Sequence, residues 1–160
     1  MKCARICLPI LLALLLLNGA VFALNTAQQT VTYEVQEINE IGVSGNPGAL
    51  IINTAVPGSP PTSAVDSSTT YSISTNAANK RITASIDTAM PANTTLNLSV
   101  VAPTGGTATA INLTTVDQNL VTGISTLAET GLTITYTFSA TAAAGVIPSA
   151  QKIVTLTLTT

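Results

Sequence analysis

The chain has 160 residues, with five Lys and Arg against seven Asp and Glu and no histidine. So few cations cannot build the clustered Lys and Arg surface that phosphate recognition needs, which excludes nucleic acid as a partner. Without histidine, only carboxylates remain for acid–base work near neutral pH.

The first 23 residues read as an export signal. Lys2 and Arg5 open the chain, and an apolar run from Ile6 to Leu17 follows, interrupted only by Pro9. Asn18 to Ala23 then places small residues before a cut after Ala23, completing the order of a secretory signal. A retained membrane anchor is the competing reading, but the run is about 12 residues against the roughly 20 needed to span a bilayer. A lipoprotein would need a cysteine directly after the apolar run, and neither Cys3 nor Cys7 stands there.

Residues 24–160 carry no cysteine, so no disulfide is expected to staple the exported fold. Their three bases (Lys80, Arg81, Lys152) and seven acids leave a net charge near −4. The polar balance is made by Thr, Ser and Asn. Threonine is β-branched and suits a pleated, half-exposed surface. Such a surface is poor in the Lys and Glu that usually blunt open sheet edges.

In chain order, Ala27 to Val35 alternates, with Val31, Tyr33 and Val35 on one face, and predicts a half-buried strand. Beyond it the phase slips: Ile38 and Ile41 are three apart, as are Glu34, Glu37 and Glu40. A bulge near Gln36-Glu37 explains the slip, and a short amphipathic helix is the alternative. Gly42 to Gly48 reads as a turn, Ala49 to Asn53 as a short strand, and Val56 to Ser68, with three prolines, as a loop. Strands follow at Thr70–Thr75, Arg81–Asp87, Thr94–Val101, Ile111–Val116 and Leu120–Ile124. Asn76–Asn79, Met90–Asn93 and Ala102–Thr107 connect them. Leu127 to Gly131 is too short to assign. Leu132 to Ala140 alternates most cleanly, and Ile153 to Thr159 closes the chain with Val154, Leu156 and Leu158 against Thr155, Thr157 and Thr159.

About seven to nine short strands, each with one apolar face, predict an all-β antiparallel sandwich of Ig-like or pilin-like form, one domain over residues 24–160. An outer-membrane barrel would need aromatic girdles, and residues 24–160 offer only Tyr33, Tyr71, Tyr136 and Phe138.

Candidate chemistry is sparse. Asp66 and Asp117 fall in or near predicted loops, and Asp87 ends a strand; no pair has suggestive spacing, so they read as solvated carboxylates. Asp117-Gln118-Asn119 is a thin calcium candidate, and Asp87 beside the Asn93 turn a thinner one. Turn capping by Asx side chains accounts for both. Asn93-Thr94-Thr95, Asn97-Leu98-Ser99 and Asn112-Leu113-Thr114 match the N-glycosylation pattern, which chance supplies in a chain this rich in Asn, Thr and Ser. Gly105-Gly106 lacks the lysine of a phosphate loop and reads as a turn. No catalytic, cofactor-binding or metal-binding residue is therefore assigned, and no cofactor is expected.

The signal, the Thr-rich alternating strands and the final Gln151-Lys152-Ile153-Val154-Thr155-Leu156-Thr157-Leu158-Thr159 segment resemble small exported bacterial surface proteins of the pilus-subunit or coat-protein kind. The resemblance covers residues 24–160 in style and contains no signature motif. Subunits of chaperone-assembled pili commonly carry cysteines that these residues lack, so no functional residue transfers.

The expectation is a secreted or cell-surface protein, periplasmic in transit, without enzymatic activity. It would be a subunit or module of an extracellular fibre, coat or matrix. Copies of itself or other surface proteins would be its partners, and the membrane would be met only through the signal. Leu24 to Val35 and Ile153 to Thr159 are the edges expected to pair. The alternative is an adhesin or carbohydrate-binding module using its loops, although the Val56–Ser68 loop lacks the aromatic and basic groups such sites use. A hydrolase would have to rest on Asp66, Asp87 or Asp117.

Overall fold

The computed structural model describes residues 25–160. Residues 35–160 form one compact unit, and the chain up to Glu34 is a separate one. The segment assigned to the signal, with Cys3 and Cys7, lies outside the described residues.

Nine strands build the compact unit: β1 (Asn39–Val43), β2 (Ala64–Thr75), β3 (Lys80–Ile86), β4 (Thr94–Val100), β5 (Thr107–Ala108), β6 (Ile111–Asn112), β7 (Gln118–Ile124), β8 (Leu127–Ala140) and β9 (Val154–Thr159). A single 3-10 turn at Ala142–Ala144 links β8 to β9. The strands form two antiparallel sheets, one in the order β1-β2-β8-β4-β6 and the other β5-β7-β3-β9. This is the expected all-β sandwich.

The period-two pattern explains the core. Tyr71 and Ile73 of β2, Leu98 of β4 and Ile134 of β8 bury one face of the first sheet. Ile82 and Ala84 of β3 and Leu120, Val121 and Ile124 of β7 bury one face of the second. Each fully buried large aliphatic contributes on the order of 1.5–3 kcal/mol. The outward residues of the first sheet are stitched together by hydroxyls: Ser63 to Ser139 (2.8 Å), Ser67 to Thr135 (3.0 Å) and Ser72 to Thr130 (2.9 Å).

Five local expectations fail, one of them the strand at Ile111–Val116, of which only Ile111–Asn112 (β6) pairs, with Asn97 and Leu98. Residues 27–34 form no strand, and Val31, Tyr33 and Val35 are exposed rather than half-buried. The first strand is instead β1, which runs through Gly42 and Val43, read from sequence as a turn; pairing of Ile41 with Ile73 puts its aliphatic on the core side. Ala49–Asn53 is not a strand, and near it only an isolated bridge joins Ala55 to Pro61. Strand β2 starts at Ala64, inside the expected loop, because Ala64 to Asp66 pair in register with Tyr136 to Phe138 of β8. Strand β8 likewise extends back through the unassigned Leu127–Gly131. It does so by a bulge: the register with β2 shifts between Tyr71 and Ile73, and Gly131 adopts φ 74° there.

Candidate strand-pairing site

Strand β9 is the last strand of the second sheet and pairs with β3 alone among the described strands. Its register runs from Arg81 opposite Thr159 to Ile86 opposite Val154 without a shift. The Asp87 amide donates to the Ile153 carbonyl at 3.1 Å, which places the 87–153 pair on the hydrogen-bonded beat of the ladder. Counting by twos, Thr155, Thr157 and Thr159 turn their amides and carbonyls to β3. Val154, Leu156 and Leu158 turn theirs to the free side. The same three residues point their side chains inward, and all three are only half-buried. The core is thus only partly closed along this edge, where β1 of the other sheet approaches β9, and the outward main-chain groups lie beside it.

The opposite end of that sheet is treated differently. There β5 covers two residues of β7, and the chain crosses directly from β5 to β6 of the other sheet. The first sheet has β1 as its outer strand, with Val43 exposed.

Just before β1, residues 36–38 are fastened to the turn between β2 and β3. The Ile38 amide donates to the Asn76 side-chain carbonyl (2.8 Å), and the Asn76 side-chain amide donates to the Gln36 carbonyl (2.8 Å). The Asn76 main-chain amide also donates to the Ile38 carbonyl (3.3 Å). Glu37 pairs with Lys80 at 2.7 Å. The Lys80 and Asn39 hydrogen bonds and the ammonium charge hold the Glu37 carboxyl below the usual glutamate range. Sequence reasoning passed over this clamp; the three-residue spacing of Ile38 and Ile41 was its one trace. N-terminal to it, Val31, Tyr33 and Val35 are 75%, 90% and 80% exposed, alternating with polar Thr32 and Glu34.

Two of the three acidic candidates of the sequence, Asp66 and Asp87, are engaged in main-chain capping. Asp66 accepts from the Ser68 hydroxyl (2.7 Å) and amide (3.0 Å), an Asx-type turn that keeps its carboxyl below the ordinary range. Asp87 accepts the Ile153 amide at 3.0 Å and so caps the start of β9. Asp117 is exposed just ahead of β7. Among the described residues, no three Cys, Asp or Glu side chains gather as a metal site would require. The asparagines of all three triplets have partners: the Asn93 amide donates to the Ala143 carbonyl (3.3 Å), with Asn93 at φ 63°, and the Asn97 amide donates to the Asn112 side-chain carbonyl (3.0 Å). Gly105 takes φ 78° in a turn closed by the Gly106 amide on the Pro103 carbonyl, 2.9 Å.

Among the described residues no helix is long and apolar enough to cross a membrane. Compared with protein-family models, with curated proteins and with solved structures, the chain matches none.

Proposed function

We propose that this protein is a non-enzymatic, secreted or cell-surface structural subunit that assembles into an extracellular fibre, coat or matrix by pairing of sheet edges. The observation that carries the reading is the edge of β9. It presents three outward amide–carbonyl pairs from Val154, Leu156 and Leu158 beside half-exposed aliphatic side chains. Proteins that must stay apart guard such an edge with lysine, proline or an inward charge. β9 carries none of these between Val154 and Thr159. Main-chain hydrogen bonds supply affinity in strand addition, and alternating side chains set register.

A glycan-binding role is less favoured. The outer face of the first sheet spends Ser63, Ser67, Ser72 and Asn97 on internal partners, leaving few free donors to orient a sugar.

Sedimentation velocity over rising protein concentration tests the proposal. Self-association is expected, and Leu156→Pro should weaken it at least tenfold. That proline removes a donor from the free side without breaking a bond to β3. Circular dichroism confirms that the variant keeps its sheet. A wild-type protein that stays monomeric at high concentration overturns the proposal.

A further inference from the structure

We infer that the β9 edge is an acceptor for residues 30–35 of a second copy of this chain, added antiparallel, so that each copy donates through its N-terminal segment and accepts through its last strand. The inference rests on the proposed assembly role and deepens it by naming both partners of the contact.

The two segments are complementary residue by residue. β9 spans six residues, Val154–Thr159, and the donor segment Thr30 to Val35 spans six. In an antiparallel register Val31 falls opposite Leu158, Tyr33 opposite Leu156 and Val35 opposite Val154. Those acceptor residues are the ones with free amides and carbonyls, so the apolar pairs fall on the hydrogen-bonded beat. Their side chains then face the half-open core, where Tyr33, 90% exposed in its own chain, would gain the most burial. Tyrosine suits this place because its ring is apolar and its hydroxyl can stay wet. Thr30, Thr32 and Glu34 would lie on the solvent face beside Thr159, Thr157 and Thr155, which leaves the added strand polar on its outer side.

A second copy fits better than the chain's own segment. The clamp fixes Gln36 to Ile38 at the Asn76 turn, the end of the sandwich where β3 begins and β9 finishes. A segment returning from there along its own β9 would run parallel to it. Every other strand pair in this fold is antiparallel, the slightly more stable arrangement per residue. The donor segment of a second copy carries no such constraint. Because donor and acceptor are different surfaces, the contact is head-to-tail and leaves a free donor and a free acceptor at the two ends, as a fibre requires.

Disulfide trapping tests the register. Residues 24–160 contain no cysteine. In a chain with Cys3→Ser and Cys7→Ser, Thr32→Cys is made in one preparation and Thr157→Cys in another. Thr32 and Thr157 face each other on a non-hydrogen-bonded beat, where Cα atoms stand about 4.5 Å apart, within disulfide reach. Mild oxidation of the mixture should yield a heterodimer, while each variant alone stays largely uncrosslinked. Tyr33→Lys in the donor should reduce that yield at least tenfold with the circular dichroism unchanged. Rapid homodimer formation by Thr157→Cys alone would mean that β9 pairs with β9, and would overturn the inference while leaving edge-mediated assembly standing. A crosslinked monomer from a chain bearing both cysteines, without heterodimer in the mixture, would show self-insertion and also overturn it. Wild-type protein that is monomeric at every concentration removes both this inference and the assembly reading.

Discussion

The ammonium of Lys80 lies 2.7 Å from the carboxylate of Glu37, and this is the one ion pair among the described residues. The pair is unequal: the Lys80 side chain is 8% exposed and that of Glu37 57%. A buried ammonium without its partner is costly, so the pair works mainly by preventing a penalty. It also fastens the residues before β1 to the start of β3. Replacing the charge tests both roles. Glu37→Gln is expected to lower the melting temperature by a few degrees, and adding Lys80→Met should recover most of the loss by removing the stranded charge. A double-mutant cycle read by thermal denaturation checks this; additive losses would mean the pair contributes nothing.

Acid should loosen the fold through two carboxylates. Hydrogen bonds from Lys80 and Asn39 hold Glu37 below its usual value of 4.5, and the Ser68 hydroxyl and amide hold Asp66 below 3.8. A carboxylate depressed in the folded state binds its proton later there than in the unfolded chain. Its stabilisation is therefore complete above the usual value and fades as pH falls through the folded one. Denaturant midpoints should be level above about pH 5 and decline below pH 4.5. Glu37→Gln should flatten the upper part of that decline and Asp66→Asn the lower part. Both groups are well solvated, so added salt should reduce the effect.

Much of this architecture is legible in the sequence, and the failures share one cause. β3, β4, β8 and β9 alternate cleanly because each has one core face and one solvent face; Leu132, Ile134, Tyr136 and Phe138 against Thr133, Thr135 and Thr137 leave no second reading. Alternation reports only that a segment suits a sheet. It does not say which sheet, or whose. Val31, Tyr33 and Val35 have the same pattern and no strand, while Asn39–Val43, interrupted by Gly42, has a poor pattern and a full ladder to β2. Cross-strand partners decide such cases, and they are set by Ile73 and Tyr71 some 30 residues away. The edge at Ile153–Thr159 is expected from the sequence, but which of its residues turn their main-chain groups outward is not, since that follows from the register with β3.

Alkaline pH should act through Tyr71. Its side chain is buried, its hydroxyl donates to the Val101 carbonyl at 2.7 Å, and burial together with the nearby Glu129 carboxylate pushes its pKa from 10.0 up to about 12. The folded state keeps the proton after the unfolded chain has lost it. The resulting stability is whole below pH 10 and is lost as pH rises between about pH 10 and 12. Tyr71→Phe should remove Tyr71's share of the alkaline decline and leave the share of Tyr136, whose hydroxyl is also held above the ordinary range by burial. At pH 7 it should cost roughly 1 kcal/mol for the lost hydrogen bond. Absorbance at 295 nm, followed with the unfolding midpoint, reads both effects; a Tyr71 that ionised with an ordinary value in the folded protein would contradict the burial argument.

Gly131 separates conformational cost from crowding. It sits in β8 at φ 74°, at the bulge where the register with β2 shifts, and a methyl group placed on its α-carbon would meet nothing within 4 Å. Any penalty for Gly131→Ala must then come from the backbone alone, roughly 1–2 kcal/mol for holding an L-residue in the left-handed region. Gly131→Asn should cost less, since asparagine tolerates that region better, as Asn79 and Asn93 do in the turns of this same chain at φ 58° and 63°. Chemical denaturation of the two variants ranks them. Equal losses would mean that the side chain meets an obstacle after all, and no loss in either would mean that the bulge relaxes and β8 pairs with β2 without it.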